Sequence, residues 1–445
     1  MGLAGVGAYT PKSVVDLELL ASQLSQIGRR WPKLLSQLEA ARNAVPELSW
    51  VEGRHGTLAL GGVQLSSRHD PWKEANLQAE RFGDARSVCV YGVGLGALPR
   101  VLLSSAERER VSIKILNAAL FVALLSLVDQ SEWLIDERVE LSLARDDEEL
   151  CAPWFVNPPD LVLAEDEAWK IRDRLQLELN ARHVAARHAP DDPELLSRIA
   201  DTRPLFREDR DVAELFGTAV GKSAYVFASG PSLEDHLERL ATRLRESEES
   251  PLLIAVDTAH RTLVRAGIHP HITVTMDRYL TAERVCPIEN ERTNLVYFPL
   301  TDKNIVSGWS GLRFTAYSKI PLFEPLLAEL PRGVLWAGGS VLHAAVDLAV
   351  LMGAEKISLF GADFAFVGGK THAGWESGEL GQDLLRAEHW VKNAAGEKVR
   401  SSPNFAGYLS ELERYIAARP HVVFHATSSR GALIARTSPD PEYYV

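Results

Sequence analysis

Between residues 13 and 43 apolar positions recur at helical spacing: Leu17, Leu20, Leu24 and Ile27, then Leu34, Leu35 and Leu38, before Pro46 ends the run. GTLALGGVQL follows, with Leu58, Leu60, Val63 and Leu65 flanking Gly61-Gly62, which predicts a hairpin. In SVCVYGVGLGALPRVLL an apolar run feeds a glycine-rich turn and then a helix, the strand–turn–helix unit of a Rossmann-like domain. VSIKILNAAL reads as the second strand, and VELSLA and LVLA as further ones. From about Glu165 to Glu214 the pattern turns helical and charged; EAWKIRDRLQLELNARHVAARH predicts one long helix and PELLSRIA another, their charges reading as solvated faces.

After Gly221 the apolar runs return as SAYVFASGPSLEDHL, PLLIAVDTAHRTLVRAG, HITVTMD, NLVYFPL, GVLWAGGSVLHAAVDLAVLMG and KISLFGADFAF, each meeting Gly, Ser or Asp at its end. The predicted fold is α/β: two Rossmann-like domains joined by a helical connector, the C-terminal one a mostly parallel doubly wound sheet with its ligand crevice at the carboxyl ends of the strands. The divisions fall at 1–50 for N-terminal helices, 51–165 for the first α/β domain, 166–215 for the connector and 216–445 for the second.

Composition narrows the function. The chain has 445 residues, 46% of them hydrophobic, so more than one core is expected. A net charge of −12 removes the electrostatic footprint of a nucleic-acid binder. Cys89, Cys151 and Cys286 are widely separated, without metal-ligand spacing or a disulfide framework, as in a reducing cytosol. The start lacks the regions of a signal peptide, Val6 breaks the myristoylation motif, and the apolar run Ala118 to Val128 is too short to span a bilayer. A cytoplasmic protein with no membrane span is expected.

The sharpest segment is YVFASGPSLEDHL. A strand runs into Ser229-Gly230-Pro231-Ser232 and a helix is expected from about Leu233, so Gly230 permits close backbone approach and the first amides face a phosphate. A tight turn with an N-cap at Ser232 is the plain alternative. Asp257-Thr258 and Asp277 end the next two strands, where carboxylates hold ribose hydroxyls, a base edge or a metal, or simply cap helices and turns. Gly338-Gly339-Ser340 opens an apolar helix and makes a second candidate phosphate cradle. His343 and Asp347, one turn apart, read as a packed or capping pair. Gly361 and Asp363 end a strand at the crevice, and the glycine-rich loop VGGKTHAGW carries Lys370, Thr371 and His372, a lysine to balance phosphate charge and a histidine for general-base work.

Together these segments resemble the Maf proteins, motility-associated factors similar to bacterial sialyltransferases. ASGPSL, IAVDTAHRTLVRAGIHPHITVTMD and GGSVLHAAVDLAVLMGAEKISLFGADFAFVGGKTHAGW carry the resemblance, with NFAGYLSELERYI and VVFHATSSRGALI as a closing helix and strand and SSRHDPWKEA before YGVGLG. The resemblance implies a sialyltransferase-like catalytic domain over 216–445 that moves a nonulosonic acid (sialic, pseudaminic or legionaminic type) from a CMP-activated donor to Ser or Thr of flagellin, with no cofactor. It places Ser229, Gly230 and Ser232 at the donor phosphate or ribose, Asp257 near the nucleotide where relatives often have Asn, Gly339 and Ser340 at CMP, Asp363 on the crevice wall and His372 as the base on the acceptor hydroxyl. Two departures stand out: Pro270-His271 where the family usually has Pro-Asp, and Asp257 itself.

Gly92, Gly94 and Gly96 spell a second glycine loop, suited to S-adenosylmethionine or a dinucleotide, and Asn157-Pro158-Pro159 is faintly similar to an amino-methyltransferase motif. Asn117 ends the second strand where a ribose-binding acid belongs, Asp160 replaces the aromatic that should follow the prolines, and Pro99 enters the helix. The first domain therefore reads as a vestigial Rossmann scaffold. Two other functions stay open: a diphosphokinase like the archaeal hydroxymethylpterin enzymes, using ATP and magnesium at Asp257, Asp277 and Asp363, and a non-catalytic nucleotide-binding protein. The transferase reading requires the loops after Ala228, Trp336 and Phe360 to meet at one sheet edge.

Overall fold

The computed structural model describes residues 15–146, 148–186, 191–247, 250–285, 291–376, 379–380 and 389–445; Cys286 lies outside them. The chain forms two compact units, Met1–Glu178 and Leu179–Val445, the boundary falling within the helix Trp169–Ala186.

In the first unit, helices Leu17–Arg30 and Pro32–Ala41 turn Leu20, Leu24, Ile27, Leu34 and Leu38 into the core, as the spacing predicts. Buried Gln23 ties the first helix down by donating to the Leu125 and Val128 carbonyls and accepting from the Gln130 amide. β1 (Ser49–Val51), β2 (Thr57–Leu60) and β3 (Val63–Gln64) form a small antiparallel sheet. Leu60 pairs with Val63, so Gly61-Gly62 is a two-residue turn whose φ values of 56° and 84° need glycine. β4 (Ser87–Tyr91), β5 (Arg110–Ile115), β6 (Val139–Leu143) and β7 (Trp154–Val156) form a parallel sheet in the order β6-β5-β4-β7. The expected strand at LVLA is instead a short helix, Pro158–Val162, because Pro158 and Pro159 favour a helical first turn.

The glycine loop after β4 is bound from within at two of its amides, beside a cleft lined by Leu65, Gly92, Gly94, Leu95, Leu98 and Asn157. Asp160 accepts from the Val93 and Gly94 amides at 3.2 and 3.0 Å, and Asn157 donates to it at 2.5 Å. A Cβ on Gly92 would stand 2.2 Å from the Asp160 Cβ. A buried carboxylate thus occupies the anion-binding turn that a cofactor phosphate would use, and burial pushes its pKa up. Asp160→Ala should cost about 1–3 kcal/mol by stranding two buried amides. S-adenosylmethionine should leave the melting temperature of the wild-type protein unmoved; a clear shift in a thermal melt would reopen this loop as a ligand site.

The second unit is built on nine strands: β8 (Arg210–Asp211), β9 (Ser223–Phe227), β10 (Leu252–Val256), β11 (Ile272–Thr275), β12 (Asn294–Tyr297), β13 (Arg313–Thr315), β14 (Lys356–Phe360), β17 (Val423–Ala426) and β18 (Ser438–Pro439). β15 (His389–Lys392) and β16 (Lys398–Ser401) pair apart as an antiparallel ribbon. The sheet order is β18-β17-β14-β9-β10-β11-β12-β13-β8, and every pairing in it is parallel. The fully buried runs of β10 and β11 fit a sheet covered on both faces. GVLW is not a strand; Val334 makes only an isolated bridge to Tyr317. From β9 the chain steps outward through β10 to β13, then returns to lay β14 on the opposite side of β9. That reversal is a topological switch point, and the crevice of such a sheet opens there, outside the carboxyl ends of β9 and β14.

Candidate functional site

The loops after β9 and β14 touch at the switch point. The Ala228 amide donates to the Phe360 carbonyl and the Gly230 amide to the Gly361 carbonyl, both at 2.8 Å. A Cβ on Gly230 would lie 2.3 Å from the Gly361 oxygen and 2.6 Å from the Asp363 carboxylate, so glycine is demanded by the neighbouring loop. Gly361 itself has φ 64° and faces the Ala228 carbonyl. Asp363 accepts from the Ser232 amide at 2.8 Å and from its hydroxyl at 2.5 Å. The segment Pro231–His236 is consequently a 3-10 turn, with the α-helix delayed to Leu237–Glu246. The Ser232 amide, expected to face a phosphate, is engaged by a carboxylate of the same chain. Burial raises the Asp363 pKa to about 6 against the pull of Ser232. Asp363 is a clamp between two loops.

The VGGKTHAGW loop crosses this junction. The Ala373 amide donates to the Ser229 carbonyl at 2.8 Å, Thr262 to the Ala373 carbonyl at 3.0 Å, and the Trp375 indole to the Thr258 carbonyl at 3.1 Å. Glu234 accepts from the Gly374 amide at 2.8 Å and from Lys370 at 2.7 Å, so the lysine charge is already answered. His372 is mostly buried, and its Nδ1 has no hydrogen-bond partner. Burial lowers its pKa to about 4, which keeps the ring neutral and its lone pair available near neutral pH. The buried Thr371 hydroxyl is likewise unpartnered.

Asp257 opens the helix Asp257–Arg265 and accepts from the Thr258 amide through Oδ1 at 2.7 Å. Its other oxygen and the hydroxyl of Thr275, at the end of β11, are buried beside each other, the hydroxyl favouring the charged carboxylate. Burial lifts Asp257 to about 7; the Thr275 hydroxyl lowers it and the Asp277 charge adds to the rise. Asp277 accepts from the Tyr279 amide in its turn, and its charge is felt by Tyr408.

Tyr408 connects this side to the third loop. Gly339, at φ 95°, lies where a Cβ would be 2.9 Å from the Tyr408 ring, and His343 Nε2 is 2.9 Å from the Tyr408 carbonyl. Ser340 caps the helix Val341–Leu351 through the Leu342 amide. Among the described residues the amides of Gly339 and Val341 meet no acceptor. This cradle therefore keeps donors that the Ser229–Ser232 turn has spent. The helix precedes β14 and packs on β9, β10 and β11, so it runs antiparallel to them and its N-terminus lies at their carboxyl edge. His343 and Asp347 are structural: His343 is buried against Trp336, and Asp347 accepts from the Trp336 amide and the Tyr415 hydroxyl. The departure at His271 is structural too, its Nδ1 accepting from the Leu253 amide at 2.9 Å.

The loops after β9 and β14 are joined by direct contacts, and the Gly338–Ser340 turn opens its helix at the same carboxyl edge of the sheet. Of the residues that anchor this arrangement, Thr275, Trp375 and Tyr408 were not singled out by the sequence, and Glu234 was expected only as an acid suited to the first turn of the segment it organises. No group of three His, Cys, Asp or Glu side chains placed to hold a metal occurs among the described residues. A separate apolar cleft, lined by Ile199, Phe206, Pro299, Tyr317, Leu326 and Leu330, lies near the ends of β12 and β13; its guanidinium groups, Arg203 and Arg207, are paired with Glu329.

The chain resembles a Maf glycosyltransferase. That solved structure, from Magnetospirillum magneticum AMB-1, is 16% identical, with 96% of this chain and 75% of that one covered at a TM-score of 0.42. Residues 199–369 match the family described as 6-hydroxymethylpterin diphosphokinase MptE-like. No curated protein matches. No helix among the described residues is long and apolar enough to cross a membrane.

Two predictions test this geometry. In urea denaturation, Ser232→Ala and Asp363→Ala should couple by about 0.5–3 kcal/mol, since each removes the same clamp; additive losses would dissolve it. Asp257 is protonated more readily folded than unfolded, so its contribution to stability is present below its unfolded value and lost as pH rises through about 7. Asp257→Asn removes that loss. Its stability advantage over wild type should grow by about 1–2 kcal/mol between roughly pH 5.5 and 8.5, and an advantage that shrinks would refute the assignment.

Proposed function

We propose that the second unit is a nucleotide-sugar glycosyltransferase that moves a nonulosonic acid from a CMP-activated donor to Ser or Thr of flagellin, in the cytoplasm. The observation that carries the reading is the pair of buried polar atoms without partners beside the switch-point crevice, Thr371 Oγ1 and His372 Nδ1. Orphaned polar atoms cost stability, and a polar ligand repays it. Gly338, Gly339 and Ser340 supply the helix N-terminus for the donor phosphate, Asp257, Thr258 and Asp277 flank the nucleoside, and Ser229 holds the His372 loop against the sheet. In the transfer, the acceptor oxygen bonds to the anomeric carbon of the sugar, the bond from that carbon to the phosphate oxygen breaks, CMP departs with the electron pair, and His372 takes the hydroxyl proton. The site then has to position, neutralise charge and accept one proton. The sequence resemblance supports the sugar class and the acceptor.

The second reading is an ATP-dependent diphosphokinase, favoured by the description of the family that residues 199–369 match. That reading would need Asp257 and Asp277 for magnesium, although burial favours the protonated form of Asp257 and Asp277 already accepts from the Tyr279 amide. Asp363 does not fit, because both its oxygens are taken by Ser232.

Thermal melts separate the two. CMP without metal should stabilise the protein, by about 2.7 kcal/mol at a hundredfold excess over Kd; stabilisation by ATP with magnesium alone would replace the first reading with the second. His372→Ala should keep CMP binding and lower transfer, read by intact mass of flagellin, at least about a hundredfold. Undiminished transfer would remove His372 as the base.

A further inference from the structure

A donor of the proposed kind carries a phosphate and a sugar carboxylate, and a chain of net charge −12 must present it with at least one free cation. The lysine nearest the crevice is spent: Lys370 pairs with Glu234 at 2.7 Å. So is the arginine beside that loop, since Arg430 pairs with Asp235 at 2.6 Å. Arg261 differs. It lies one turn into the helix Asp257–Arg265, next to Thr262, whose hydroxyl holds the Ala373 carbonyl of the His372 loop. Its guanidinium stacks over the Trp375 ring at 5.2 Å, and the same indole is fixed by the Thr258 carbonyl. Its Nε is buried without an acceptor, and no carboxylate among the described residues forms an ion pair with it. A half-buried guanidinium held by an aromatic face and lacking a counter-charge is a standing cost that an anion removes.

We propose that Arg261 is the donor-anion residue of this site: its guanidinium, presented by Trp375 beside His372, binds anionic oxygens of the nucleotide sugar. The inference rests on the nucleotide-donor reading above. The ring beside the guanidinium restrains it and leaves its N–H edges for the two-pronged recognition of phosphate or carboxylate. The proton-accepting histidine and the charge-neutralising arginine then belong to one loop–helix contact, formed by Thr262, Ala373 and Trp375.

Calorimetric titration of the full chain with CMP and with CMP-sialic acid tests it. Wild-type binding of CMP is measured first; no binding overturns this proposal together with the donor reading. Given that binding, Arg261→Gln should weaken CMP-sialic acid at least about tenfold, with Arg261→Lys recovering part of the loss. Equal loss for CMP makes the phosphate the partner, and loss confined to CMP-sialic acid makes it the carboxylate; both outcomes support the proposal. Affinities of Arg261→Gln within about twofold of wild type for both ligands overturn it and leave the donor reading intact. Melting curves of the two variants guard against a folding defect: a loss in Arg261→Gln that Arg261→Lys does not relieve, accompanied by a fall in melting temperature, assigns Arg261 a packing role and also overturns the proposal.

Discussion

The arrangement of the second unit depends on one buried carboxylate. Asp363 leaves the end of β14, crosses the switch point and takes both the amide and the hydroxyl of Ser232 beyond β9. Parallel strands diverge at such a reversal, because the connections on either side depart to opposite faces. Without a tie across the gap, the two loops would be free to part. The clamp holds them so closely that Gly230, Gly361 and Gly431 are left no room for a Cβ. It also sets the platform on which Ser229 and Glu234 receive the His372 loop. The charge of Asp363 is spent on architecture, and the chemistry is left to the groups around it.

Both units tie down a glycine loop with a buried carboxylate. In the first, Asp160 reaches the glycine loop after β4 and consumes the Val93 and Gly94 amides, while Gly92 and Gly96 are closed off by Asp160 and Gln130. The Val93 and Gly94 amides of that turn are met by the chain itself, while among the described residues the Ala97 and Leu98 amides that open the next helix meet no acceptor. In the second, the clamp takes the amide and the hydroxyl of Ser232, while the Gly339 and Val341 amides and the Thr371 and His372 side-chain atoms meet no partner among the described residues.

Much of the fold was legible because it is local. The amphipathic spacing of Leu20, Leu24 and Ile27, the Gly61-Gly62 turn and the apolar runs that became β9 to β12 and β14 each declare their element within a few residues. The misread segments are those where local preference competes with context: LVLA is apolar like a strand, but the two prolines before it start a helix, and GVLW has the composition of a strand but finds only Tyr317 as a partner. The site was legible as a set of strand ends and illegible as a set of partnerships. Asp363, Lys370 and Ser232 were visible as polar residues at a crevice; that Asp363 is bound to Ser232, and Lys370 to Glu234, 131 and 136 positions apart, is a property of the sheet order alone.

The same distinction decides how an acidic protein handles an anionic ligand. Sequence reading looks for a cation and finds the conspicuous one, Lys370, on a glycine-rich loop. The folded chain pairs that lysine and makes it a hinge pin for the loop. What the proposal leaves for an anion is a helix N-terminus whose amides meet no acceptor and a guanidinium beside an aromatic face, without an ion pair among the described residues. Both are weakly hydrated, directional donors that are fixed before the ligand arrives, so little reorganisation attends binding. A net charge of −12 is then no obstacle, because donors at contact distance outweigh charges more than a Debye length away.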